Sequence, residues 1–226
     1  LLLLSLPSLK PQTSSEDESP IQQLLQGFKF VFQNKVVGST ILIGTILSFS
    51  SAIRILLPQI VDQQFGGGAF ELGLMYSAVP LGGTLGALLS GWISHLTRPG
   101  TVMIYLSLAV FGCIFLIGLS PWFVLTLILL SMFGYLSAVA NLLQYSIVQG
   151  HTPDEYLGRI NAIWLAQDAS SDSIATTILG ALTRFLPISS SIFIFSGLSF
   201  TLGLVFLMSA EKIREAKFND PDLQQN

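Results

Sequence analysis

The sequence predicts an all-α membrane protein, a polytopic helix bundle, and three observations carry that prediction. Hydrophobic residues make up 51% of the 226 and charged residues 10%, against roughly 25% charged in an ordinary soluble domain, so the folded surface cannot be mostly wet. Six stretches reach the ~20 apolar residues that a helix needs to cross the hydrocarbon core. Eight of the ten Lys and Arg residues then fall on one side of the alternating spans, as expected when positive loops stay cytoplasmic.

The chain begins with "LLLLSLP", an apolar run with no charged segment before it. Residues 1–7 therefore read as the end of a truncated span rather than a signal peptide. Residues 8–20, "SLKPQTSSEDESP", are too rich in Ser, Pro and acid to bury a core and form a cytoplasmic linker. Residues 21–35 follow Ser19 as N-cap and Pro20 at the first helical position. Ile21, Leu24, Leu25, Phe28, Val31 and Phe32 recur there at helical spacing opposite Gln22, Gln23, Gln26, Lys29 and Gln33, predicting an amphipathic helix on the membrane surface.

Residues 36–208 form the six-helix transmembrane bundle, with spans at Val36 to Leu57, Leu72 to Ser94, Thr101 to Leu119, Trp122 to Val148, Ile160 to Leu186 and Ile188 to Met208. Residues 209–226 are a cytoplasmic tail. In the second span Gly82, Gly86 and Ser90, and beside them Gly83, Ala87 and Gly91, repeat every four residues, a spacing that lets helix backbones approach closely. Before the fifth span, Thr152, Pro153 and Glu155 match a capping box with Thr152 at the N-cap and predict a short cytoplasmic helix.

Composition excludes several functions. A net charge of −3 offers no basic patch for nucleic acid. "FGGGAF" lacks the Lys-Ser/Thr of a phosphate loop, and "LGGTLGALLSG" lies inside a span instead of after a strand, so neither has the context of a nucleotide site. No enzyme signature, cofactor motif or metal-ligand spacing occurs. His95 and His151 read as solvated loop residues, and the lone Cys113 as a small core residue.

The remaining signal is polar chemistry inside the spans. Asp168 and Asp172 lie in the fifth span, roughly 13 Å and 19 Å along the helix from Arg159 at ~1.5 Å per residue. Four apart, they share one helix face and their charges repel. Ionisable side chains at that depth usually line a substrate or ion route. Asp172 either carries a proton or contacts substrate, or else it pairs with Arg54 to hold two helices together. Ser48 and Ser51 in the first span, Tyr135, Ser137, Asn141 and Gln144 in the fourth, and Gln167 in the fifth either line a cavity or bond helix to helix. Arg159, near the N-terminus of a helix where the dipole disfavours a cation, is a cytoplasmic anchor or a clamp on a neighbouring loop.

The loop "GWISHLTRPG" resembles the short cytoplasmic loop motif of major facilitator superfamily transporters, retaining Gly91, Arg98 and Gly100. His95 stands where that pattern carries an acid, so an acid-based gate is not implied there. "GYLSAVANLLQYSIVQ" and "LGRINAIWLAQDASSDSI" are similar to the C-terminal half of the enterobactin exporter group within the superfamily. The resemblance implies a six-helix half of a major facilitator superfamily fold, with the first and fourth complete spans bordering a central path. It also implies a proton-driven exporter of a catechol siderophore such as enterobactin, an antiporter in the bacterial inner membrane that works with an N-terminal half. Arg98 and Arg159 would belong to its cytoplasmic gate. A multidrug or small-metabolite efflux transporter of the same superfamily, and a non-transporting membrane scaffold or receptor, are the alternatives.

Overall fold

A computed structural model describes residues 20–209. The span end at 1–7, the linker up to residue 19 and the tail from residue 210 lie outside the described residues. The described chain is a bundle of helices: α1 (Pro20–Gln33), α2 (Lys35–Phe49), a 3-10 segment (Ser50–Leu56), α3 (Leu57–Phe65), α4 (Ala69–Leu89), a second 3-10 segment (Ser90–His95), α5 (Pro99–Leu119), α6 (Phe123–Gly150), α7 (Asp154–Phe185) and α8 (Ile188–Ser209). Five helical runs are long and apolar enough to cross a membrane, at Lys35–Phe65, Ala69–His95, Pro99–Leu119, Phe123–Gly150 and Ile188–Val205. The predicted span Ile160 to Leu186 falls within α7 except for its last residue, which caps the helix; α7 has the length but, with its carboxylates and hydroxyls, is more polar than the other five.

Helix α2 sits at the centre of one side of the bundle, packed on α6, α7 and α8, while α5 lies between α6 and α8. The main core joins Ile53, Leu56 and Ile60 to Phe111, Ile114 and Leu130. A smaller cluster of Val37, Ile41, Val148, Ile160 and Ile163 closes the end of the bundle nearest α1. The α4–α6 contact is made by glycine. Gly82 and Gly86 lie against the backbone of Ser131 and Tyr135, and Gly134 returns the contact against Val79. The parallel stripe contributes less, since a Cβ on Gly91 would meet nothing within 4 Å.

Three local expectations change. Helix α1 is more than a surface helix: Gly27 lies against Ile163 and Arg159, and Phe30 stacks on Tyr156 at 4.9 Å. Leu25 and Phe32 remain on its exposed side. Thr152 does not cap α7. Its hydroxyl donates back to the Val148 carbonyl at 2.7 Å, the i−4 bond open to any Ser or Thr at the end of a helix. α7 then begins at Asp154 without a separate short helix before it. His151, read as solvated, is 3% exposed. It lies under the α1–α2 joint, where Asn34 accepts from the Val36 and Val37 N–H groups and donates its amide to the His151 carbonyl at 3.1 Å. Cys113 is buried in the main core.

Candidate functional site

The site begins with a break in a helix. Pro58 has no N–H to offer the Arg54 carbonyl four residues earlier, so the α-helical ladder cannot run through this turn. The chain tightens into 3-10 geometry over Ser50–Leu56, where the Leu57 N–H takes the Arg54 carbonyl instead. Tyr76 Oη approaches the same carbonyl at 3.4 Å. The tightened turn sits against α7 and carries Ser51 and Arg54 to Asp172.

Arg54 Nη2 lies 3.0 Å from both carboxylate oxygens of Asp172, and Ser51 Oγ donates to Oδ1 of the same group. One turn away along α7, Asp168 Oδ1 accepts from Ser48 Oγ at 2.6 Å. The carboxylates thus face α2 and the 3-10 segment, each with its own serine. The Arg54 and Asp172 side chains are 55% and 35% exposed, so the pair opens to the outside of the described bundle.

Each serine has a second acceptor within reach. Ser48 Oγ is 2.9 Å from the Gly44 carbonyl, and Ser51 Oγ is 2.7 Å from the Ser48 carbonyl. A hydroxyl has one proton and two lone pairs. Facing an ionised carboxylate it donates to the acid; facing a protonated one it accepts from the acid and turns its own proton to the backbone carbonyl. Each serine can therefore stay hydrogen-bonded to its acid in either charge state.

Gln144 reaches this region from α6. It is 1% exposed, its amide lies directly on the Gly44 backbone, and its Nε2 has no hydrogen-bond partner. Thr40 Oγ1 on α2 and Ser137 Oγ on α6 are likewise buried without a partner. Gln167 donates to Ser171 Oγ at 3.3 Å while its Oε1 is buried and unpaired. Asn141 is exposed on α6, whereas Tyr135 packs against the apolar core. Arg98 stands exposed in the turn before α5. Arg159 donates to Gln26 Oε1 at 2.6 Å and lies 5.4 Å from the centre of the Tyr156 ring, which ties α7 to α1.

Sequence reasoning paired Arg54 with Asp172 as one option and gave Ser48 and Ser51 as cavity lining or helix-to-helix bonds, without assigning each serine to an acid. The spacing signal was present: a proline four residues after an arginine inside an apolar run marks a freed carbonyl. Gly44 as the seat of the Gln144 amide had no local signal.

The Major Facilitator Superfamily profile matches residues 1–171 and again 40–223. The chain is 38% identical over 224 residues to a protein named Enterobactin exporter EntS from Escherichia coli O1:K1 / APEC, a match covering 99% of this chain and 53% of the relative. It is 39% identical, with the same coverage, to the protein of that name from Shigella boydii serotype 18 (strain CDC 3083-94 / BS512). The chain therefore spans about half the length of these curated relatives, and no solved structure matches it significantly. Its membrane-crossing helices and the profile that covers them together make this chain a multi-pass membrane protein of the Major Facilitator Superfamily.

Proposed function

We propose that this chain is the C-terminal half of a proton-coupled antiporter that exports a siderophore such as enterobactin across the bacterial inner membrane. The observation that carries the proposal is the pair of carboxylates on α7, each held by a serine and one by an arginine, on a face left open by the bundle. Similarity to exporters of that name along nearly the whole chain supports the substrate class. An N-terminal half covers the open face, and the substrate path runs between the two. The protein acts as a carrier rather than an enzyme.

Asp172 is the coupling group in this mechanism. Ionised, it holds Arg54 and ties the 3-10 segment to α7. Protonated, it loses the charge that holds Arg54, while Ser51 keeps a hydrogen bond by reversing its direction. The guanidinium is then free to face substrate oxygen atoms or the other half. Binding and release of one proton thus change the link between two helices that border the path, as alternating access requires. Asp168 with Ser48 forms a second, weaker station, and Gln144, Gln167, Ser137 and Asn141 contribute polar lining.

The test is siderophore release by iron-starved cells that lack the full-length transporter. Complementation with the wild type restores release, and Asp172→Asn at equal membrane abundance does not. Unchanged release in the deletion strain removes the siderophore assignment; unchanged release with Asp172→Asn removes the coupling role.

A further inference from the structure

A cavity of about 230 Å³ opens between α6 and the first turns of α7, lined by Tyr145 and Gln149 on one side and Gly158, Ile160, Asn161 and Trp164 on the other. We propose that it is a binding subsite for an uncharged, planar, hydroxylated aromatic ring. Trp164 precedes Asp168 by one helical turn, roughly 6 Å at ~1.5 Å per residue, so the cavity lies beside the carboxylates and does not include them.

The walls define the ligand. The Tyr145 and Trp164 rings are in tilted contact, 5.7 Å apart between centres and inclined at 36°, and a third ring can stack on the faces they turn to the cavity. Gln149 Nε2 donates to Tyr145 Oη at 2.6 Å. The phenol therefore acts as acceptor inside the protein and keeps its own proton for a ligand oxygen. Asn161 adds a donor and an acceptor on the facing helix. No Lys, Arg, Asp or Glu lines the cavity. The neighbouring Arg159 is engaged by Gln26 and Tyr156, so a charged ligand would find no counter-ion in the lining and would lose hydration where it enters.

Gly158 supplies the space. A Cβ at this position would meet nothing within 4 Å, so the helix backbone itself forms part of the wall. The volume is below the ~300–1,000 Å³ of sites that enclose a whole drug-sized ligand, and it suits one ring unit of a larger molecule. That the ring belongs to the exported substrate rests on the export proposal; that a ring binds here does not.

Equilibrium dialysis of the full chain in detergent micelles tests the site, with 2,3-dihydroxybenzamide as the neutral probe and 2,3-dihydroxybenzoate as its charged counterpart. The benzamide binds saturably at one site, and the benzoate binds at least about tenfold more weakly. Gly158→Leu, which fills the cavity from an unobstructed position, and Trp164→Ala, which removes one wall, each weaken benzamide binding at least about tenfold while helical circular dichroism is unchanged. Absence of saturable benzamide binding to the wild type, equal binding of benzoate, or undiminished binding in either folded variant overturns the site. Should one variant fail to fold, the other and the benzamide-to-benzoate ratio decide. Ring binding without siderophore release from cells removes the export proposal and leaves the site standing, whereas release without ring binding removes the site alone.

Discussion

Gly44→Ala probes how closely α2 and α6 are joined behind the carboxylates. The Gln144 amide rests on the Gly44 backbone, so a Cβ there would overlap its nitrogen, carbon and oxygen together. Gln144 is 1% exposed, so its amide must shift within the interior rather than swing out to the surface. Either the amide leaves its rotamer or the two helices part, and forcing an extra carbon into a packed interior costs about 1–3 kcal/mol. For a chain of this size each kcal/mol moves the melting temperature by about 2–4 °C, so the variant should melt about 2–12 °C lower. The assay is loss of helical circular dichroism on heating in detergent, with all variants in the same micelle. Gln144→Ala alone should cost less, because it removes an amide nitrogen that is buried without a partner. Added to Gly44→Ala, it should recover most of the loss, since the methyl then occupies the vacated space. Additive losses in the double variant, or a neutral Gly44→Ala, would refute the direct seating of Gln144 on Gly44.

Gly86→Leu should be strongly destabilising and Gly91→Leu nearly neutral in the same melting assay, because a Cβ at Gly86 would stand 2.8 Å from the Tyr135 carbonyl while one at Gly91 has open space. Arg159→Gln should loosen α1 from α7 by removing the charge-assisted bond to Gln26, seen as faster limited proteolysis within α1 and little change in melting. Equal cleavage rates would show that the Phe30–Tyr156 stack and Gly27 contact suffice. Pro58→Ala restores an N–H opposite the Arg54 carbonyl. It should lengthen α-helical geometry into the 3-10 segment and weaken export with the chain still folded; unaltered export would separate the break from function.

The apolar spans were legible because crossing a bilayer demands long runs of one composition, and glycine spacing disclosed that α4 packs closely, though not that α6 is its partner, for the same reason of regularity. α7 was legible by its exceptions: carboxylates four apart in a span point to one face whatever packs beside it. The sequence left open whether Asp172 meets Arg54, since that depends on Pro58 tightening the preceding turn and bringing the guanidinium round. Thr152 and His151 were misread for a shared cause. Both sit at the end of α6, where a hydroxyl can bond backward as readily as it caps forward, and where Asn34, 117 residues away in sequence, closes over the chain. Side-chain contacts of that range leave no periodic trace. The contact of Tyr145 with Trp164 was invisible for the same reason, its two rings belonging to different helices.

In the proposed mechanism a proton on Asp172 governs its hold on Arg54 and so couples the gradient to substrate movement. The direct measurement is siderophore transport in proteoliposomes holding the full-length transporter, with and without an imposed pH gradient, for wild type and Asp172→Asn. A gradient should accelerate wild-type transport, Asp172→Asn should abolish the acceleration, and substrate exchange without a gradient should persist in the variant. Gradient-driven transport by Asp172→Asn at the wild-type rate would contradict that mechanism.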